Sequence, residues 1–149
     1  MIAAIQSERA EAGMSEALAA SLNERMKGLF GDTLGIRVIE AAKDKVVAEF
    51  DWRADLCTVG GTLHGGALMA VADQIGATAA VLNLPAGAGT TTLESKTNFF
   101  RGCTAGKVRA ESTPLHVGGR TSVWQTRLYD AAGKMLTQTI QTQIVLLPK

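Results

Sequence analysis

Gly60-Gly61-Thr62-Leu63-His64-Gly65-Gly66 opens directly onto Ala67-Leu68-Met69-Ala70-Val71-Ala72-Asp73-Gln74-Ile75-Gly76-Ala77-Thr78-Ala79-Ala80-Val81-Leu82. From Gly65 onward the residues are small or apolar, and Asp73 is the one charge. A helix that is apolar on every side belongs inside a core, so a carboxylate in it must be partnered, protonated or set in a cleft. At the entrance, Gly65 and Gly66 have no Cβ to keep a bound group away, and the N–H groups of a first helical turn lack internal partners. With the positive end of the helix dipole behind them, these N–H groups suit a carbonyl oxygen that gains negative charge. An isolated His-Gly-Gly reads as a turn that starts a helix. Asp73 on the same helix makes the stretch a candidate active site. Gly66 and Asp73 are seven residues apart, which is nearly two turns and roughly 10 Å along the axis. Catalytic groups must come within about 3 Å of the reacting atoms. One helix therefore cannot supply both to one carbonyl carbon, whereas two antiparallel copies across a two-fold axis can, each offering its Gly turn to the other's Asp73.

A chain of 149 residues is one domain of ordinary size, long enough for a real core. Its 46% apolar content and net charge of +1 exclude a disordered chain and provide no basic field for nucleic acid. Cys57 and Cys103 have neither metal nor redox spacing, and with two histidines no metal set is expected. The first dozen residues carry Glu8, Arg9 and Glu11 without a long apolar run, so neither signal nor transit peptide is read there. The longest apolar run is the central helix, interrupted by Asp73 and Gln74, and no membrane span is expected. A reducing, cytoplasmic setting and small-molecule chemistry are the expectation.

Leu18, Leu22, Met26 and Leu29 predict an amphipathic helix over residues 15–29 that packs over the edge or outside of the main sheet, ended by Gly28 and Gly31. Gly13 reads as a break, with a loose segment or short turn before it. Residues 34–41 and 46–52 predict a hairpin, in which Val46, Ala48, Phe50 and Trp52 alternate against Val47, Glu49 and Asp51. A loop over 53–63 leads to the central helix. Strands are predicted at 90–100, 106–117, 120–129 and 134–147, and their short turns suggest a four-stranded antiparallel meander. The fold class is α+β: a curved antiparallel sheet wrapped around a long central helix, with an extra N-terminal helix. Residues 1–33 form the N-terminal extension and 34–149 the main domain.

The order ββαββββ, with Gly60-Gly61-Thr62-Leu63-His64-Gly65-Gly66 and then Asp73, resembles the hotdog-fold acyl-CoA thioesterases of the phenylacetate-pathway, or PaaI-like, type over residues 34–147. The resemblance implies hydrolysis of an acyl-CoA at a site shared between the subunits of a homodimer, with dimers stacked as a dimer of dimers. Coenzyme A is then part of the substrate, and no separate cofactor is implied. Gly66 or Gly65 would donate a backbone N–H to the thioester oxygen, and Asp73 of the opposite subunit would act as general base on water or as nucleophile. His64 would shape the turn, as a structural residue or in direct contact with substrate. Thr58 stands six residues before His64, where many relatives carry an Asn that orients water or the carbonyl. Thr92 matches a position where relatives carry a hydroxyl that helps hold the water, with Thr91 the alternative one register away. Coenzyme A phosphates would be met near Arg101 and Gly102, in a place where relatives often carry Pro, and near Gly119 and Arg120, with Lys107 and Arg109 behind them.

Two other chemistries compete on the same fold. A hydratase or dehydratase needs a His and an acid together across the acyl Cα and Cβ, whereas His64 precedes the helix that carries Asp73. A module that binds acyl-CoA or a partner without turnover would fit the missing Asn at Thr58. Cys57 with His64 forms a weaker nucleophile pair, since no helix N-terminus or cationic cluster is evident beside the thiol. Trp52, Trp124 and His116 read as packing or ordinary strand residues, and Glu94 as pocket-lining or solvent-facing.

Overall fold

A computed structural model describes residues 2–148; Met1 and Lys149, the outermost residues of the two predicted segments, lie outside the described residues. The elements are α1 (Ile2–Met26), α2 (Phe30–Thr33), β1 (Arg37–Ala41), β2 (Val46–Asp51), a 3-10 turn (Ala54–Leu56), α3 (Gly65–Val81), β3 (Gly89–Phe99), β4 (Lys107–Val117), β5 (Thr121–Tyr129) and β6 (Met135–Leu146). Six strands form one sheet in the order β1-β2-β4-β5-β6-β3, every neighbouring pair antiparallel. The sheet wraps α3, which touches β2 through β6. This is the hotdog architecture expected from the sequence.

Period-two alternation builds the inner face. In β5, Ser122, Trp124, Thr126 and Leu128 are buried while their neighbours are half-exposed, and β4 adds Val108, Ala110 and Ser112. Facing them, α3 buries Leu68, Val71, Ala72, Ile75, Gly76 and Ala79. Gly76 is required by distance: a Cβ there would run into the amide of Gln141 on β6. Beyond the alternation expected for β2, Val47 is buried as fully as Val46.

The N-terminal helix differs from its predicted span. It runs unbroken through Gly13, which is exposed and where a Cβ would meet nothing within 4 Å, and it ends at Met26 ahead of Gly28, whose φ is +72°. A helical Gly costs only about 1 kcal/mol relative to Ala, and the neighbouring Ala, Glu and Met residues are good helix formers. Leu29 is not helical; its extended backbone precedes α2. Docked along the edge strand β1, α1 replaces a seventh strand with side chains. Asn23 Nδ2 donates to the Val38 carbonyl and Asn23 Oδ1 accepts the Val38 N–H, both at 2.8 Å, while Ser15 Oγ accepts the Ala41 N–H at 3.0 Å. Backbone groups that would otherwise offer an open edge are thereby paired.

The four-stranded meander is corrected as well. Only β4-β5-β6 follow one another; β3 lies at the far edge, paired with β6 from Gly89↔Leu146 to Phe99↔Thr137. The segment between β3 and β4 crosses the end of the sheet instead of turning back. Phe100 N–H and Arg101 N–H reach the Leu136 carbonyl, the Cys103 carbonyl accepts the Leu63 N–H, and the Gly106 carbonyl accepts the Trp52 N–H. Three strand spacings are about 14 Å, within reach of a few extended residues at about 3.3 Å each. A short connection therefore permits either topology.

Asn23→Ala removes both halves of the α1–β1 bridge and is expected to lower stability by about 1–3 kcal/mol, read by urea unfolding or as a fall in Tm of several degrees. Gly76→Ala forces the buried Gln141 side chain aside, with an expected loss of about 1–3 kcal/mol in the same measurement.

Candidate active site

His64 caps α3. Its backbone is extended (φ −65°, ψ 135°), its carbonyl accepts the Ala67 and Leu68 N–H groups at 2.9 and 3.1 Å, and its Nδ1 accepts the Gly66 N–H at 2.8 Å. Two donors at the helix entrance were expected to be available, but Gly66 already has an internal partner. Gly65 N–H makes no hydrogen bond to the described residues, so it is the donor left for a bound group. With Nδ1 accepting, neutral His64 carries its proton on Nε2, on an exposed side chain.

The Phe99 ring packs closely beside Gly65: a Cβ there would stand only 3.2 Å from its Cε1 and Cζ. Leu63, Gly65, Leu68, Phe99, Phe100, Arg101 and Gly102 line a cleft of about 410 Å³. Gly102 fits because a Cβ there would stand 2.9 Å from Thr62 Cγ2. The Thr58–Thr62 turn closes through Thr58 N–H to the Thr62 carbonyl and Gly61 N–H to the Thr58 carbonyl, and the exposed Thr58 lies ahead of the helix.

Asp73 stands eight residues beyond Gly65, roughly 12 Å along the helix. It is half-buried, and among the described residues no cation pairs with it. Its partners come from the sheet. Thr92 Oγ1 donates to Oδ1 at 3.1 Å; Gln141 Nε2 reaches the Asp73 carbonyl at 3.3 Å and Oδ1 at 3.4 Å. Thr92, rather than the exposed Thr91, is the hydroxyl that meets the carboxylate. Behind it, Gln143 Nε2 donates to Thr92 Oγ1 at 2.7 Å, and Thr90 Oγ1 lies 3.0 Å from Gln143 Oε1 and 2.9 Å from the Ile144 carbonyl.

The two stretches expected to meet coenzyme A phosphates lie far apart within the chain. Arg101 and Gly102 line the cleft at Gly65, where Phe99 is opposite Thr137; Arg120 precedes Thr121, which is opposite Ile144. Seven residues of β6 lie between those levels, roughly 23 Å. Gly119 sits in the exposed turn beside Arg120. Lys107 is paired with Glu49 at 3.0 Å and Arg109 with Glu111 at 3.1 Å. Glu94 is exposed, just past an irregularity in β3. Desolvation around Cys57, with Cys103 beside it, raises the thiol pKa above its ordinary value, the wrong direction for a nucleophile. Trp124 is fully buried, its Nε1 donating to Ser122 Oγ at 2.8 Å.

Sequence reasoning missed Gln141 and Gln143. The available signal was the alternation Thr137, Thr139, Gln141, Gln143 in a predicted strand, which puts four polar residues on one face; that face is the buried one.

Comparison with known proteins agrees with this architecture. Residues 60–137 match the family described as the Thioesterase superfamily. The 1,4-dihydroxy-2-naphthoyl-CoA hydrolase of Escherichia coli (strain K12) is 35% identical over 86 residues, 58% of this chain and 63% of that enzyme, so the match spans less than two thirds of the relative's length. A thioesterase from Haemophilus influenzae superposes with a TM-score of 0.83 at 28% identity, covering 87% of this chain and 90% of that one. A mutant thioesterase from Pseudomonas aeruginosa superposes with a TM-score of 0.82 at 30% identity, over 86% of this chain and 93% of that one. With its fold, its glycine helix entrance and more than half its length matched, the chain belongs to the thioesterase superfamily.

Proposed function

We propose that the protein hydrolyses acyl-CoA thioesters as a homodimer, with Gly65 of one subunit and Asp73 of the other forming each site. The observation that carries this reading is Asp73 itself: a half-buried carboxylate on an otherwise uncharged helix, held by Thr92 and Gln141, with no cation paired to it among the described residues. Coenzyme A as carrier is supported by the relative from Escherichia coli, whose name specifies a CoA thioester. The cytoplasm, where acyl-CoA is made and used, is the proposed setting.

The sheet supplies a reason for pairing. β3 is an 11-residue edge strand with β6 as its one partner, whereas the opposite edge is covered by α1. Long uncovered edges pair with other chains. Along β3, the Phe99 end lies at Gly65 and the Thr92 region at Asp73. Antiparallel pairing of two β3 strands would bring Asp73 of the partner subunit beside the first subunit's Gly65. It would also draw Arg120 of the partner subunit toward Arg101, so that the two separated cations serve one set of phosphates. Stacking of two such dimers into a dimer of dimers is part of the same proposal.

At that site Gly65 N–H polarises the thioester oxygen. Asp73 then either takes a proton from water, whose oxygen attacks the carbonyl carbon, or attacks the carbon itself to form an anhydride that water opens. In both routes the oxyanion collapses with loss of the CoA thiolate, leaving acid and coenzyme A. A thiol of pKa about 8.5 departs without a strong general acid, so one carboxylate and one N–H donor suffice.

Thiol release from a panel of aryl- and alkyl-acyl-CoAs is the direct assay. Asp73→Asn is expected to lower kcat by about 10²–10⁴-fold with the oligomer intact. Absence of thiol release by the wild type on every substrate would refute the hydrolase reading. Gly65→Pro deletes the donor at the first helical position, where the extended backbone of His64 suits proline; because any Cβ there crowds the Phe99 ring at 3.2 Å, it is compared with Gly65→Ala, which brings a Cβ and keeps the N–H, and kcat is expected to fall about 10²–10³-fold from Gly65→Ala to Gly65→Pro. Mixing the two inactive variants under exchange conditions is expected to restore about a quarter of wild-type activity, because half of a random mixture is hybrid and each hybrid holds one intact site. No recovery, despite demonstrated exchange, would place both groups within one subunit.

A further inference from the structure

We infer that Gln143 is a positioning residue for the hydrolysis proposed above: through Thr92 it directs a hydroxyl proton onto Asp73 Oδ1 and so leaves Oδ2 as the oxygen that reacts. The inference rests on proton counting. Thr92 Oγ1 lies between two groups, Gln143 Nε2 at 2.7 Å and Asp73 Oδ1 at 3.1 Å. The amide nitrogen only donates, so Thr92 accepts there and spends its one proton on the carboxylate. Thr90 Oγ1 lies 3.0 Å from Gln143 Oε1 and 2.9 Å from the Ile144 carbonyl, so its one proton is available to the amide oxygen although it does not by itself fix the amide. With the amide reversed, Gln143 Oε1 and Asp73 Oδ1 would compete for the single Thr92 proton, and one buried acceptor would go without. Only the first arrangement lets Thr92 give its proton to Asp73 while Gln143 Oε1 still has a donor within reach, the Thr90 hydroxyl.

Gln141 points the same way. Its Nε2 reaches Asp73 at the carbonyl and at Oδ1, while its Oε1 is buried without a partner against Gly76. Both side-chain donors therefore converge on Oδ1, and Oδ2 has no hydrogen bond from the described residues. A glutamine that is 1% exposed is a costly core residue where Leu would pack without desolvating an amide. The bond its amide makes to Thr92 offsets that cost.

The test is a double-mutant cycle in thioester hydrolysis. Gln143→Leu and Thr92→Val are each expected to lower kcat by about 10- to 100-fold, the worth of a hydrogen bond to a charged group, with KM changed by less than about 3-fold. The double variant should be no slower than Thr92→Val alone, because Gln143 acts only through that hydroxyl. Multiplying losses, or an unchanged kcat in Gln143→Leu, would overturn the inference. Thr90→Val, at a half-exposed site, releases the amide without a core substitution; a several-fold loss that does not add to that of Gln143→Leu supports the chain, and none argues against it. A readout free of turnover is the Thr92 hydroxyl proton in NMR, assigned by its absence in Thr92→Val. A slowly exchanging signal in the wild type that disappears in Gln143→Leu supports the proton direction, and a signal that persists in the variant refutes it. Wild-type protein inactive on every thioester would sink the hydrolase reading, with this signal still deciding the proton direction. Activity that needs Asp73 but ignores Gln143 would sink this inference alone.

Discussion

The close approach of α3 to β6 is the constraint on which the rest depends. Gly76 has no Cβ, so the Gln141 amide can lie against the helix and reach Asp73 from the sheet side. A larger residue at 76 would hold helix and strand apart and strip the carboxylate of that donor. Close packing also decides what the sheet must present there. Opposite Leu68, Val71 and Ile75 the inner face can be apolar, but near Asp73 it needs donors, and β6 supplies Thr and Gln at its inward positions. Of those inward residues Gln141 serves the charge directly and Gln143 through Thr92, whereas Thr139 pairs with Thr97.

The sheet's two edges are managed unequally. At β1, α1 contributes an Asn side chain that imitates a peptide group, accepting from and donating to the same residue, Val38. At β3 nothing comparable among the described residues covers the strand, and Leu93 and Phe99 remain exposed along it. The covered edge makes the chain self-contained on one side, and the open edge leaves one direction for growth of the sheet. Because β3 runs beside α3 with Phe99 near Gly65 and Thr92 near Asp73, both chemical ends of the helix sit along that open edge.

The helix entrance shows a similar economy. His64 satisfies Gly66 with its own ring nitrogen and the next two N–H groups with its carbonyl, so three of the orphan donors of the first turn are taken. Gly65 is the exception, and the Phe99 ring packs 3.2 Å from where its Cβ would stand. A first turn capped by Ser or Asp would bring a polar hydroxyl or a negative charge to the same spot. The imidazole instead caps the turn while presenting Nε2–H outward.

Much was legible in the sequence because it depends on local chemistry. A run of small and apolar residues with one acid announces a buried helix with a special position, and period-two alternation announces strands; neither needs distant contacts. The glycine entrance and Asp73 were therefore visible, as was the hotdog order of elements. The tertiary structure decided what depends on partners far apart in the chain. The strand 90–100 pairs with β6 rather than β4, because a short segment can cross the sheet end as well as turn back. Thr92 rather than Thr91 meets Asp73 because the register against β6 sets which side chain points inward. Gln141 and Gln143 lie 68 and 70 positions beyond Asp73, and no local pattern relates a buried glutamine to a carboxylate at that separation. Their alternation with Thr137 and Thr139 marked one face of a strand as polar, and only the packing of α3 made that face the inside.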